Sequence, residues 1–193
     1  ISFLKPKYGE KWADLCCGTG DLSFLIYKKT EPNVSITGFD NANEILEIAK
    51  KKSTLMGCKS IKWERKDILE IDNNKNFDGI CMSYGLRNLV NVEQGIKKIF
   101  HLLNEKGRAG CLDFNHCKNN SFADLFQKIY LRLVVVPISK IFNLGNEYAY
   151  IEKSIKDYPD GNKLLIIAKK VGFKKAKYST LFFNQMGILI LEK

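Results

Sequence analysis

The sequence predicts an α/β fold, a doubly wound and mostly parallel sheet of seven strands in which the last strand is reversed. Three observations predict it. Short apolar runs alternate with stretches of helical periodicity along most of the chain. A glycine-bearing turn, Cys16-Cys17-Gly18-Thr19-Gly20, follows the first apolar run at once. The last two apolar runs lie too close together to enclose a crossover helix, so they must pair antiparallel. At 193 residues the chain suits one domain with a sizeable core, and residues 1–193 are read as a single domain.

Trp12 to Leu15 forms the first strand, and Asp21 caps a helix that runs to about Lys29 and is broken by Pro32-Asn33. Val34 to Phe39 is the second strand, ending at Asp40. Ile45, Ile48, Ala49 and Leu55 recur at helical spacing, so Asn43 to Leu55 is an amphipathic helix, stopped by Gly57. Ser60 to Glu64 is a short third strand, with Asp67 after it. Beyond the polar loop Asp72 to Asn76 comes strand four, Phe77 to Ser83. Val92, Ile96, Ile99, Phe100 and Leu103 then mark a helix that ends before Gly107, and Arg108 to Phe114 is strand five. Ser121 to Val136 reads as a helix with Phe122, Leu125, Phe126, Ile129 and Leu133 on one stripe, followed by a loop rich in Tyr and Asn. Asn162 to Val171 is the last helix, stopped by Gly172; Phe173 to Thr180 and Met186 to Leu191 are the closing strands. Right-handed crossovers wind such a sheet on both faces. A parallel sheet finished by an antiparallel hairpin is the architecture of class I methyltransferases, and a plain dinucleotide-binding domain lacks it.

No apolar run reaches the roughly 18 residues of a membrane-spanning helix, since Leu131 to Phe142 is interrupted by Arg132, Pro137 and Lys140. The first residues do not have the composition of a signal or transit peptide. The net charge of +10 suggests attraction to lipid headgroups or nucleic acid. The basic residues nevertheless come as short lysine runs without interleaved aromatics, which favours solvated helix faces and gives no expectation of a nucleic-acid partner. The six cysteines, at 16, 17, 58, 81, 111 and 117, form no C-x-x-C pair. A reducing, cytoplasmic setting is expected, with no disulfide framework and no metal site.

The glycine turn lies where open α/β sheets bind ligands, beyond the carboxyl end of a strand near the topological switch point. Gly18 and Gly20 let the backbone turn tightly and approach a ligand closely. Asp40 with the adjoining Asn41 ends the next strand, where a carboxylate accepts from both ribose hydroxyls. This conjunction points to an adenosine cofactor. Gly18-Thr-Gly-Asp-Leu-Ser23 nearly completes the dinucleotide fingerprint, but Ser stands in place of its third Gly. Asp14 puts a negative charge near the loop, which suits the ammonium of a methionine moiety and would repel a pyrophosphate. S-adenosylmethionine is therefore the expected cofactor. Asp67 with Ile68 is placed to read the adenine and cover its face, and Ser83 to meet the methionine end. A solvated loop acid explains Asp67 about as well.

Three stretches carry a resemblance. They are Asp14-Leu-Cys-Cys-Gly-Thr-Gly-Asp21, Ser83-Tyr-Gly-Leu-Arg87-Asn88, and Glu147-Tyr148-Ala-Tyr150-Ile151 followed by Ser154-Ile155. On them the chain resembles the ubiquinone/menaquinone biosynthesis C-methyltransferase family over nearly its whole length. Around Asp113-Phe-Asn-His116 and Gln185-Met-Gly-Ile188 it is similar to the branch that methylates demethylphylloquinol in photosynthetic lineages. The resemblance implies methyl transfer to a ring carbon of a prenylated quinol. By it, Thr19, Asp40, Asp67 with Ile68, and Ser83 match cofactor contacts, while Arg87 and Asn88 match the substrate side. Tyr84, Tyr148 and Tyr150 are candidates for the quinol pocket, and packing alone explains the last two about as well. The family usually carries an N-terminal segment with a Tyr-Asp and a Trp, and this chain lacks it. Cys117 stands where Pro is expected, and Phe183-Asn184 where Gly-Gly is expected. The chain also lacks an initiator Met and enters its first strand at Trp12, so a preceding segment is expected.

The chemistry fits these residue types. A quinol that loses or shares its hydroxyl proton pushes charge onto the ring carbon. Arg87 is no free base, because a guanidinium holds its proton too tightly, but it stabilises a developing phenolate and holds a water that takes the proton. Asn88 orients the same oxygen. A surface salt bridge is the competing reading of Arg87. His116 follows strand five, within reach of a substrate, though a loop His is more often structural; His101 reads as a surface residue. An apolar acceptor enters from lipid or a carrier, so contact at a membrane surface is expected, and a homodimer is among the expected assemblies. A benzoquinol acceptor, a nicotinamide-binding module and a non-catalytic cofactor-binding fragment stay open at this stage.

Overall fold

The computed structural model describes residues 1–30, 34–115 and 154–193. The elements are β1 (Lys11–Leu15), α1 (Asp21–Thr30), β2 (Ser35–Asp40), α2 (Asn43–Leu55), β3 (Ile61–Arg65), β4 (Phe77–Ser83), α3 (Val92–Leu102), β5 (Leu103–Phe114), α4 (Gly161–Val171), β6 (Lys175–Leu181) and β7 (Met186–Glu192). Single 3-10 turns follow β3 at Ile68–Glu70 and β4 at Leu86–Asn88. The helix expected over Ser121 to Val136 lies outside the described residues.

The strands make one sheet in the order β3-β2-β1-β4-β5-β7-β6. The pairs β1–β2, β1–β4, β2–β3 and β4–β5 are parallel, and β7 is antiparallel to both β5 and β6. Only β7 is therefore reversed, and it sits between β5 and β6 instead of at the sheet edge. The chain winds outward from β1 to β3, then returns to place β4 on the other side of β1. The switch point accordingly falls between β1 and β4.

Alternation along the strands divides the core between the two faces. Leu15, Met82 and Leu189 pack with Ile96, Ile99 and Leu102 of α3 and Leu164 of α4. Trp12, Ile36 and Cys81 pack on the other face with Phe24 and Ile26 of α1. Asn91 caps α3 by accepting from the Gln94 amide, and Asp160 caps α4 by accepting from the Lys163 amide. Lysines gather in the last turns of α1, α2 and α4, and acids in the first turns of α1, α2 and α3. These charges are placed favourably along the helix dipoles.

Two boundaries differ by more than one residue from those read in the sequence. β5 begins at Leu103, five residues before the expected Arg108, because Leu103 pairs with Phe77 ahead of an irregularity in the β4–β5 register. An apolar residue at helical spacing therefore belongs to the strand. β6 begins at Lys175 and not at Phe173, whose ring stays on the core and meets Phe100 edge-on at 5.1 Å.

Gly79 is the tightest point of the β1–β4 pairing, since a Cβ there would lie 2.4 Å from the fully buried Trp12 indole. Gly79→Ala is expected to destabilise the fold by about 2–3 kcal/mol in urea unfolding, through overpacking with no polar group lost.

Candidate active site

β1 runs into the glycine turn through Cys16, which holds a left-handed φ of 54°. A non-glycine residue pays for that conformation, and such residues cluster at functional sites. Gly18 also has φ 54°, and among the described residues nothing lies within 4 Å of where its Cβ would be, so they leave open space there. Gly20 is different. Its φ is 86°, and a Cβ would come within 2.4 Å of the Trp63 ring. Close approach of a ligand was expected to require Gly20; the structure shows that the chain's own Trp63, reaching in from β3, requires it.

Asp40 at the tip of β2 ties this loop down. One carboxylate oxygen accepts from the Gly18 amide and the other from the Ala42 amide, both at 2.9 Å. Thr19 donates its hydroxyl to Asp21 at 3.1 Å, at the start of α1. Asp67 accepts from the Leu69 amide at 2.8 Å and so caps the 3-10 turn that presents Ile68.

Asp14 departs from the sequence reading. It is buried beneath the loop, where its Oδ2 accepts from the Ser23 amide at 3.0 Å and the Ser23 hydroxyl at 2.7 Å. It braces the loop from below and does not line the cleft. Ser23 in place of a third Gly supplies the hydroxyl for this bond. Burial lifts the Asp14 carboxyl from 3.8 to about 6, with the Asp40 charge adding to the rise and the Ser23 and Cys81 hydrogen bonds opposing it. Burial first, then neighbouring carboxylates, pushes the Cys16 thiol up to about 12, so it is no nucleophile at neutral pH.

The tip of β4 carries the second half. Tyr84 has a left-handed φ of 56°, and a Cβ on the following Gly85 would lie 2.7 Å from Cys16 Cβ, so the two strand-tip loops touch. Arg87 and Asn88 both serve this turn, each donating from its side chain to the Tyr84 carbonyl at 3.0 Å. The Arg87 guanidinium also pairs with Asp113 of β5 at 2.6 Å, and lies over the rings of Phe114 at 5.1 Å and Tyr84 at 5.5 Å. The surface salt bridge considered for Arg87 is in fact a buried one, with side-chain exposures of 8% and 2%. Tyr158, buried beside this pair, has its hydroxyl pKa pushed well up, mainly by desolvation and then by the Asp113 charge.

Two adjoining cavities result. One, of about 390 Å³, is lined by Cys16, Gly18, Asp40, Asn41, Asp67, Ile68 and Tyr84 among others. The second, of about 570 Å³, is lined by Arg87, Val90, Asn91, Ser154, Tyr158 and Ile167 among others, and shares Asn88 and Leu89 with the first. Asp14, Thr19, Gly20 and Ser83 are not on either wall. His116, Tyr148 and Tyr150 lie outside the described residues. The sequence reading missed Cys16, Lys66, Trp63 and Asp113. Only Asp113 left a trace, as a charge inside the apolar run Cys111 to Phe114.

Residues 1–191 match the profile of the ubiE/COQ5 methyltransferase family. A protein of Synechocystis sp. named "2-phytyl-1,4-naphtoquinone methyltransferase" is 36% identical over 187 residues, covering 96% of this chain and 78% of that protein. One of Arabidopsis thaliana, "2-phytyl-1,4-beta-naphthoquinone methyltransferase, chloroplastic", is 33% identical over 194 residues, covering 98% of this chain and 74% of the other. Among solved structures, a SAM-dependent methyltransferase from Aquifex aeolicus superposes with a TM-score of 0.69 at 12% identity, over 99% of this chain and 86% of that one. Magnesium protoporphyrin IX methyltransferase from Synechocystis, with bound SAH, gives 0.64 at 15% identity, over 96% and 74%. These structures share the fold, a class I methyltransferase sheet with its reversed strand.

Asp14→Asn keeps an acceptor for Ser23 and removes the charge. Because the folded-state value lies above the ordinary one, the cost of ionising Asp14 is absent below pH 3.8 and is felt in full above about 6. Relative to the parent protein, the variant is expected to gain up to about 3 kcal/mol between about pH 4 and pH 8. Urea unfolding at both pH values reads this directly, and an equal difference at each would refute it.

Proposed function

The chain belongs to the ubiE/COQ5 methyltransferase family and is an S-adenosylmethionine-dependent methyltransferase; on that premise we propose that it methylates a ring carbon of a prenylated naphthoquinol. Family membership sets aside the nicotinamide-binding alternative. The observation that carries the acceptor reading is the wall at Asn88 and Leu89, common to the Asp40 cleft and the Arg87 cavity. Relatives 32–36% identical that are named for a phytyl naphthoquinone favour a naphthoquinol over a benzoquinol.

The cleft fits the cofactor. Open space above Gly18 admits a ligand against the backbone, and the carboxylates of Asp40 and Asp67 flank an apolar surface of Phe39, Ile45 and Ile68. That combination suits a nucleoside, with Asp40 holding the ribose hydroxyls and Ile68 covering the base. S-adenosylmethionine supplies an electrophilic methyl carried on a sulfonium. The chain supplies alignment and charge. Arg87 stabilises the negative charge that grows on the ring oxygen as the hydroxyl proton leaves through water. Once the methyl is bonded to the ring carbon, that carbon's own hydrogen leaves as a proton and the oxygen takes one back, restoring the aromatic quinol with one net proton released. Asn88 orients the acceptor at the junction of the two cavities.

A prenylated acceptor partitions into lipid, so entry is from a membrane surface. The exposed side chains of Tyr84, Val90, Phe182 and Phe183 support this, since they follow the carboxyl ends of β4 and β6 on the rim that holds the site. Among the described residues no helix is long and apolar enough to cross a membrane.

The test offers the full protein S-adenosylmethionine and a panel of demethylated prenyl quinols, with products weighed by mass spectrometry. One added methyl on the naphthoquinol is expected; methylation of benzoquinols alone would replace the acceptor named here. Arg87→Ala is expected to lower kcat roughly 100-fold. Its affinity for S-adenosylhomocysteine, measured by calorimetry, should stay within about twofold. Asp40→Ala is expected to weaken that affinity by roughly 10-fold or more, through loss of a charge-assisted acceptor.

A further inference from the structure

Asp113 is the least exposed charged group at the site after Asp14, and the sequence reading gave it no role. Its carboxylate grips Arg87 at two points. Oδ2 accepts from the Arg87 amide at 3.0 Å, and Oδ1 accepts from the guanidinium Nη1 at 2.6 Å. Oδ1 also accepts from the Phe114 amide at 2.8 Å, so the acid itself is fixed to β5. The guanidinium lies over the Tyr84 and Phe114 rings, which themselves meet at 5.3 Å, and its Nε is buried without a hydrogen-bond partner among the described residues. Left to itself, so strongly desolvated a cation would turn toward water. The carboxylate, with the Tyr84 carbonyl that accepts from the same Nη1 at 3.0 Å, thus decides where the positive charge on the cavity wall sits.

We propose that Asp113 is the positioning residue of the methyl-transfer site, aiming the Arg87 guanidinium at the acceptor oxygen. This rests on the acceptor reading above. The pairing acts in two ways. It keeps the guanidinium on the wall of the larger cavity while the substrate is absent, so no reorganisation is needed when charge develops. It also keeps the cation beside the acceptor hydroxyl, which favours loss of its proton.

The experiment compares native protein with Asp113→Asn and Asp113→Glu. In Asp113→Asn, kcat is expected to fall roughly 100-fold with the affinity for S-adenosylhomocysteine within about twofold. With the guanidinium no longer held at the acceptor oxygen, the acceptor hydroxyl ionises less readily. The rising limb of the kcat–pH profile should then move to higher pH, by roughly one unit. Asp113→Glu should restore most of kcat and return the limb. A second measurement needs no substrate: nitrogen-15 NMR of the Arg87 side chain, identified by its loss in Arg87→Lys. The paired guanidinium should give a slowly exchanging signal that broadens away in Asp113→Asn and returns in Asp113→Glu. An unchanged signal in Asp113→Asn overturns the proposal. So does a fall in kcat that tracks the folded fraction by circular dichroism while the pH limb stays in place. If native protein methylates no quinol, the acceptor reading fails, and the guanidinium signal alone decides whether Asp113 positions Arg87.

Discussion

The site depends on the parallel pairing of β1 with β4, the two strands between which the chain reverses its winding. That pairing sets the glycine turn and the Tyr84 turn side by side, close enough that Gly85 has no room for a Cβ against Cys16. The spacing beneath is fixed by Trp12 lying against Gly79. Cys16 and Tyr84, both left-handed without being glycine, sit on the two touching loops. Backbone strain is tolerated where surrounding contacts overdetermine it, and here each loop restrains the other.

Charge in this region is held by burial more than by solvent. Asp14 sits below the glycine turn with its acidity weakened by desolvation, and Arg87 with Asp113 forms a pair shielded from water. A buried pair of this kind contributes little net stability, although breaking it by removing one partner costs about 3–5 kcal/mol. Its retention is better explained by placement of charge than by folding energy. The cysteines contribute packing. Cys81 and Cys111 fill the core, and desolvation carries Cys111 to about 12 and Cys81 well above its ordinary value.

The sheet is common to methyltransferases that share little sequence with this chain, such as the Aquifex protein at 12% identity. A fold used so widely does not select an acceptor. In the proposal made above, selection falls to the cavity between the β4 turn and the residues that precede α4, where Arg87, Asn88 and Tyr158 meet, and the cleft holding Asp40 takes the cofactor.

Much of this was legible in the sequence. Alternating apolar runs report strands and their spacing reports crossovers, because burial of a sheet face imposes a period along the chain. The glycine turn and Asp40 stood out as candidates because each sits at a strand end, which topology brings to one rim, while the Arg87–Asn88 turn stood out chiefly through the family resemblance. What the sequence could not determine was which side chains meet across elements. Asp14 and Asp40 look equivalent as acids near a loop, yet one is buried beneath it and the other lines the cleft. Gly20 looked like a concession to a ligand until Trp63, from a strand two places away in the sheet, was found against it. Arg87 and Asp113 are 26 residues apart and meet only because β4 and β5 pair in register. Local sequence specifies periodicity, caps and turns, since those forces act over a few residues. Partnership and burial are decided by packing between strands distant in the chain, so only the tertiary structure settled them.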